Sequence, residues 1–375
     1  MYRPRIKVKH RPVRLGDGRI RIGGRIPGIG MTIRDRDGWV WALLGTLDGT
    51  RTVDQIIAEL VRRFPARTAD SIAAEVAHDL EVLAGAGYVE DAAETPPPGL
   101  SAREQERYGR NRELWWWMTR VEHRSSWDTQ LLLRQARVVV IGTGGTGCTA
   151  AVNLALSGVG ELHLVEPDVV ELSNLGRQIL FTEHDLGRPK VEAAVRELRA
   201  RNSDIQITGQ ALAITGTADL LALAARFDVV VLAADRPAEI RTWTNRACHA
   251  TGTAWVHAGY HGPQINYGLY RPGAGPCYEC IETAEGEHRV EAEPLQFVAA
   301  PVTARTDVQA SNAVSAGVSG NLAAHTAMSM VTGVPALTPN REYAFSLVSL
   351  DGYAVSTLEE PRPGCPACGP HAATA

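Results

Sequence analysis

Residues 137–147 read Arg137-Val138-Val139-Val140-Ile141-Gly142-Thr143-Gly144-Gly145-Thr146-Gly147, and the reading of this stretch decides the fold. An unbroken run of β-branched residues describes a short strand buried on both faces. The glycines that follow at once describe a tight turn, and Ala150 to Leu156 continue as a helix. Strand, glycine turn and helix together bring backbone N–H groups and a helix N-terminus to one point, an arrangement suited to a phosphate. Gly142, Gly144, Gly145 and Gly147 are therefore the candidate nucleotide-binding loop. A dehydrogenase has the same fingerprint and an acid about 20 positions on. Here Glu161 to Val165 form a second strand that ends in Glu166, so at this point both readings stand.

The residues beyond Glu166 separate them. Glu166-Pro-Asp168-Val-Val-Glu-Leu-Ser-Asn174-Leu-Gly-Arg177-Gln178-Ile-Leu-Phe181 is followed by Asp185-Leu-Gly187-Arg-Pro-Lys190, and a third strand, Phe227 to Ala234, ends in Asp235. Glu106-Arg-Tyr108-Gly-Arg110-Asn111 lies upstream. From about residue 104 to 369 the chain resembles the ThiF/MoeB and ubiquitin-activating superfamily of adenylyltransferases. The resemblance implies that ATP is attacked at its α-phosphate by a carboxylate while pyrophosphate leaves. Arg177 and Lys190 would hold the phosphates, Asp235 would hold Mg2+, and Glu166 with Asp168 would bind ribose. Asn174 and Gln178 would support the loop, and Arg110 matches the arginine that family homodimers donate to the neighbouring protomer's site. Two positions depart from the family pattern: Glu166 stands where relatives usually carry Asp, and Arg236 where an Asn usually follows the metal-binding Asp.

Four of the six cysteines fall in two CxxC knuckles, Cys277-Tyr-Glu-Cys280 and Cys365-Pro-Ala-Cys368, each set among Gly and Pro. Two thiolates from one tight turn can converge on a metal, and four close a tetrahedral Zn2+ site. A redox CxxC would need only one knuckle, placed at a helix start. Cys148 and Cys248 read as small core residues. The stretch from Glu282 to Thr306, where thioester-forming relatives place a cysteine, contains none, which disfavours thioester transfer. His257 and His261 are four apart, but Gly259, Gly262 and Pro263 argue against the helix that would align them on a metal.

In front of this domain, Arg19-Ile20-Arg21-Ile22 alternates as a half-buried strand does, and Ile6 and Val8 begin a similar pattern. Trp39 to Leu44 form an apolar segment. Thr52-x-x-Gln55 is a capping box before a helix that Pro65 ends, and Ile72, Val76, Leu80 and Leu83 repeat at helical spacing until Gly85 and Gly87. Gly87-Tyr88-Val89 would return as a wing. This module resembles the PqqD-like elements that recognise leader peptides of ribosomally made, modified peptides, notably in residues 43–64. The resemblance implies a precursor peptide as partner, with a YcaO-type enzyme as a further partner in relatives that no longer adenylate. Residues 1–36 carry eleven basic residues against Asp17 and Asp35, a solvated face or a surface for an acidic partner. The helical segments are not basic on balance, which argues against nucleic acid. Trp115-Trp116-Trp117 reads as a core or interface plug, or as a platform for a peptide.

The chain of 375 residues, 45% hydrophobic and 21% charged, with 38 basic and 42 acidic side chains, is that of a globular protein of two or three domains. The uncharged stretches 138–160 and 308–340 are too broken by Gly, Pro, Asn and His to cross a bilayer, and the basic N-terminus lacks the apolar segment of a signal peptide. A cytoplasmic protein is expected. The fold expected is α/β: a Rossmann-like doubly wound sheet with an ATP site and a zinc knuckle, preceded by a small α+β winged-helix-like domain. The expected divisions are a recognition domain over 1–92, a Pro-rich linker over 93–103 and an adenylation domain over 104–375.

Overall fold

A computed structural model describes residues 2–95, 98–120, 125–291, 310–356 and 358–369. Residues 292–306 of the segment expected to lack a reactive cysteine, and Pro96 and Pro97 of the linker, lie outside the described residues. The chain divides into two compact units, one of residues 1–131 with 334–336, the other of residues 132–333 with 337–375.

The first unit begins with β1 (Pro4–Ile6), β2 (Val13–Arg14), β3 (Ile20–Ile22) and β4 (Met31–Ile33). Strands β2, β3 and β4 form an antiparallel sheet in that order, and the alternation read at 19–22 places Ile20 and Ile22 in the core. Helices α1 (Trp39–Thr46), α2 (Val53–Arg63) and α3 (Ala69–Gly85) follow. Both bonds of the Thr52–Gln55 capping box are present at the start of α2. Ile56, Leu60, Ile72 and Val76 from α2 and α3 are fully buried together, the outcome of one apolar stripe per helix. The returning strand β5 (Val89–Asp91) pairs antiparallel with β1.

Helix α4 (Ala102–Met118) also belongs to this unit. Trp115 is buried, and Trp116 donates its indole N–H to Glu90 at 2.6 Å. Lys7 lies 3.7 Å from the Trp116 ring centroid, a cation over an aromatic face. Its ammonium donates to the Trp116 carbonyl at 2.9 Å. Trp115 and Trp116 are thus packed within the first unit. A short helix, α5 (Asp128–Gln135), leads into the second.

The second unit is built on β6 (Arg137–Ile141), α6 (Gly145–Leu156), β7 (Glu161–Val165), α7 (Lys190–Arg201), β8 (Gln206–Gln210), α8 (Thr217–Ala224), β9 (Val229–Leu232) and α9 (Ile240–Thr251). Then come β10 (Ala254–His261), β11 (Gln264–Tyr270), α10 (Tyr278–Glu291), α11 (Ala313–Thr332), β12 (Arg341–Ser346) and β13 (Gly352–Ala354). One eight-stranded sheet runs β13-β12-β11-β10-β9-β6-β7-β8. It is parallel from β10 to β8 and antiparallel from β10 to β13. The chain builds outward from β6 to β7 and β8, then crosses back to place β9 on the other side of β6. Such a reversal opens a crevice at the carboxyl ends of the strands, and the glycine turn lies there. Helix α6 starts at Gly145, five residues before the expected Ala150, because Gly147 can sit against the turn: a Cβ on Gly147 would lie 1.8 Å from the Gly142 carbonyl oxygen. Among the described residues no helix is long and apolar enough to cross a membrane.

Candidate nucleotide cleft and cysteine knuckle

The cleft at the strand reversal has a volume of about 580 Å³ and is bordered by the ends of β6, β7 and β9. Valines 138–140 are fully buried in β6, so the strand fixes the start of the glycine turn. Gly142 adopts φ +90°, a region that costs an L side chain about 1–2 kcal/mol, and a Cβ there would also meet the Ala234 nitrogen at 3.0 Å. Gly144 is the N-cap of α6, and the space beside it is open, with no atom within 4 Å of a built Cβ. The open glycine at a helix N-terminus is where an anion can approach the backbone.

Glu166 is buried at the end of β7 and closes the turn from behind. One carboxylate oxygen accepts from the Thr143 N–H at 2.7 Å and the Thr143 hydroxyl at 3.1 Å, and the other from the Asp168 N–H at 3.0 Å. The longer Glu in place of the family's usual Asp is thereby tied to the loop. Asp168 accepts from the Lys190 ammonium at 3.1 Å. The lysine is buried and the aspartate largely exposed, so the pair forms part of the cleft wall. Asn174 holds its 3-10 turn by accepting from the Glu171 N–H at 3.0 Å. Arg177 donates to the Ser173 carbonyl at 3.1 Å, while its Nε is buried without a partner. Gln178 is buried too, and its side-chain oxygen has no partner. Asp235 is exposed at the mouth of the cleft just after β9. Of the residues singled out in the sequence, Gly142, Gly144, Glu166, Asp168, Asn174, Arg177, Gln178, Lys190 and Asp235 all line this one cleft. Gly145 borders a smaller cavity beside it, and Gly147 packs inside α6. Arg110 is exposed on α4 in the first unit.

Two parts of the site were not read from the sequence. Leu212, Ala213 and Ile214, after β8, with Ile240 of α9, supply an apolar wall. Arg241 and Tyr260 border the smaller cavity. The run Leu-Ala-Ile was too short and too ordinary to signal a wall, and nothing local distinguishes Arg241 from a solvated arginine. Cys148 is fully buried in α6, and burial pushes its thiol up to about 12. A thiol that stays protonated is no nucleophile.

The two knuckles meet although 84 residues separate Cys280 from Cys365. All four sulfurs lie within 4.8 Å of one another. Cys277 is 3.9 Å from Cys280 and 3.5 Å from Cys365, and Cys280 is 3.4 Å from Cys368. Tetrahedral Zn2+ with Zn–S near 2.3 Å requires sulfurs about 3.8 Å apart, so the residues fit the metal. Donors also surround the sulfurs: Asn245 Nδ2 is 3.5 Å from Cys277 Sγ and the Arg362 N–H 3.3 Å from Cys280 Sγ. Such contacts orient ligands and stabilise thiolates. Four cysteine ligands would leave no open position, which is the pattern of a structural site. The histidines at 257 and 261 lie on β10, and His257 is paired with Glu342.

Fold, cleft and knuckle together define a nucleotide-binding α/β protein with a cysteine metal knuckle. The chain belongs to the ThiF family, whose model matches residues 120–367. A second model, the PaaA-like N-terminal domain, matches residues 9–64. The molybdopterin-synthase adenylyltransferase of Escherichia coli is 32% identical over 273 residues, covering 72% of this chain and 98% of the relative. The adenylyltransferase and sulfurtransferase of Bos taurus is 35% identical over 274 residues, 73% of this chain. The chain spans about half the length of that mammalian relative, 55%. A crystal structure of Escherichia coli MccB has the same fold, with TM-score 0.75 at 23% identity over 98% of this chain and 96% of that one. PaaA superposes with TM-score 0.64 at 24% identity over 93% of this chain and 98% of its own.

Proposed function

We propose that this protein is an ATP-dependent adenylyltransferase that activates a carboxylate or amide of a ribosomally made precursor peptide, captured by its N-terminal module. The observation that carries the reading is the pairing of a PaaA-like N-terminal domain over residues 9–64 with a ThiF domain whose cleft retains Arg177, Lys190 and Asp235. In this reading residues 1–92 recognise the peptide, 93–103 link, and 104–375 adenylate. MccB, similar in fold over nearly the whole chain, is described as a microcin C7 biosynthetic enzyme and has been solved with ATP and with N-formylated MccA, which supports a peptide substrate here.

Charge develops on phosphate oxygens as the α-phosphate is attacked, so catalysis is positioning plus fixed positive charge. Arg177 and Lys190 supply that charge from the cleft wall, and Glu166 orders the loop and meets the ribose. Asp235, exposed and open at the cleft mouth, fits the ligation of Mg2+, which would screen the triphosphate. Arg110 completes the site from the partner protomer of a homodimer.

A second reading has a specific basis: the relatives by sequence include the sulfur carrier protein ThiS adenylyltransferase of Escherichia coli, 36% identical over 248 residues. One experiment separates the readings. ATP–pyrophosphate exchange should appear with a precursor peptide as acceptor, not with a sulfur-carrier protein, and Asp235→Ala should abolish it. Exchange driven by the sulfur carrier alone favours the second reading. Peptide binding without exchange favours delivery of the peptide to a YcaO-type partner.

A further inference from the structure

Arg236 borders the nucleotide cleft beside Asp235 and has no part in the chemistry described so far. It lies in the turn between β9 and α9, and the backbone fixes both ends of that turn. The Ala233 N–H donates to the Ile141 carbonyl at 2.8 Å, and the Ile240 N–H to the Pro237 carbonyl at 3.0 Å. Four carboxylates border the cleft, Glu166, Asp168, Glu171 and Asp235, against three cations, Arg177, Lys190 and Arg236. Lys190 faces Asp168 at 3.1 Å, which offsets much of its charge, and Arg177 is tied to the Ser173 carbonyl. Arg236 is exposed, and among the described residues its guanidinium makes no hydrogen bond or ion pair. Asp235, directly before it, is also exposed and also without a partner among them.

An exposed arginine by itself is an ordinary solvated side chain. Two adjacent opposite charges that leave each other free at the mouth of a nucleotide cleft are a different matter, because a metal–polyphosphate brings a partner for each: a cation for the carboxylate and anionic oxygens for the guanidinium. Without Arg236, four carboxylates would face two cations, one of them already paired, and a triphosphate would enter against excess negative charge. A guanidinium supplies fixed charge and a fork of donors that spans two phosphate oxygens. The apolar wall of Leu212, Ala213, Ile214 and Ile240 suits a base and offers a phosphate nothing. With Gly144 serving the phosphate nearest the ribose, the outer phosphates are left for the mouth, where Arg236 stands.

We infer that Arg236 is a third phosphate-binding cation, and that it holds the β- and γ-phosphates, the part of ATP that departs as pyrophosphate. The inference rests on the adenylation reading and adds a residue to it, at the position where relatives usually carry an uncharged Asn. As the bond from the α-phosphorus to the bridging oxygen breaks, the electron pair stays with pyrophosphate. Arg236 donates hydrogen bonds to the charge that grows there and transfers no proton.

The test is isothermal titration of the full chain with ATP and with AMP, each in EDTA so that no Mg2+ stands in for the missing charge. Arg236→Asn should weaken ATP about tenfold, the worth of one charge-assisted hydrogen bond, and leave AMP within about twofold of wild type. Arg236→Lys, which keeps the charge and loses the fork, should fall between. Unchanged AMP binding also shows that each variant has folded. Equal loss of ATP and AMP affinity in Arg236→Asn would assign the arginine to the base or the ribose. ATP affinity within about twofold of wild type, or a wild type that in EDTA holds ATP no tighter than AMP, would make it a solvated surface residue. Each of these results overturns the inference and leaves adenylation standing. Failure of wild type to bind ATP even with Mg2+ present removes the adenylation reading, and the inference with it.

Discussion

Glu166 is the residue at which stability and nucleotide binding meet. Its carboxylate accepts from the Thr143 N–H, the Thr143 hydroxyl and the Asp168 N–H, the shortest at 2.7 Å, and the side chain is buried. Glu166→Ala leaves the Thr143 N–H stranded in a buried position, a cost of about 1–3 kcal/mol, and removes a charge-assisted bond of similar worth. The hydroxyl of Thr143 can rotate, and the Asp168 N–H lies beside an exposed residue that water reaches, so the expected total is about 3 kcal/mol. For a unit of this size that lowers Tm by about 6–12 °C. Glu166→Gln keeps one acceptor but turns an NH2 donor toward an N–H, so about half the loss should remain. Because the freed loop no longer presents Gly144 in a fixed position, ATP affinity should drop about tenfold in the alanine variant. Thermal unfolding followed by tryptophan fluorescence, with calorimetric titration of ATP, measures both. A Glu166→Ala protein that melts within about 2 °C of wild type would refute the claim that this carboxylate anchors the loop.

Other predictions concern the knuckle and the N-terminal unit. Elemental analysis should find about one Zn per chain, and Cys277→Ser should lower thermal stability far more than ATP affinity, because a closed four-thiolate site contributes folding energy without touching nucleotide; a metal-free protein of full stability would contradict this. His10 is fully enclosed, packs edge-to-face on Tyr88 at 5.3 Å, and has a buried Nδ1 without a partner. Burial, with the charge of Lys7, pushes its pKa down to about 4. The unfolded chain therefore takes up a proton near pH 6.5 that the native chain refuses until about pH 4, so stability is lost as pH falls through that window, by up to about 3 kcal/mol. Urea unfolding at neutral and acidic pH should show this loss in wild type and a smaller one in His10→Phe; equal losses in both would rule out His10 as its source.

Much of this molecule is legible in the sequence because the rules at work there are short-ranged. The strand at 137–141 and the glycine turn after it follow from side-chain branching and from backbone angles such as the φ of +90° at Gly142, which depend on immediate neighbours. The same is true of the Thr52–Gln55 capping box, and of the two CxxC turns, where two residues of spacing set the reach of each thiolate pair. Tertiary structure decided the rest. Which strand lies beside β6 depends on a crossover that returns β9 after β7 and β8 have been laid down, and that reversal opens the cleft that Glu166, Lys190 and Asp235 line together. The pairing of Asp168 with Lys190 spans 22 positions, and no local rule selects it over the other charges nearby. The position of Arg241 is the extreme case. Its sequence neighbours describe an ordinary helix start, and only the approach of β10 and of the glycine loop turns an arginine on α9 into the wall of a cavity.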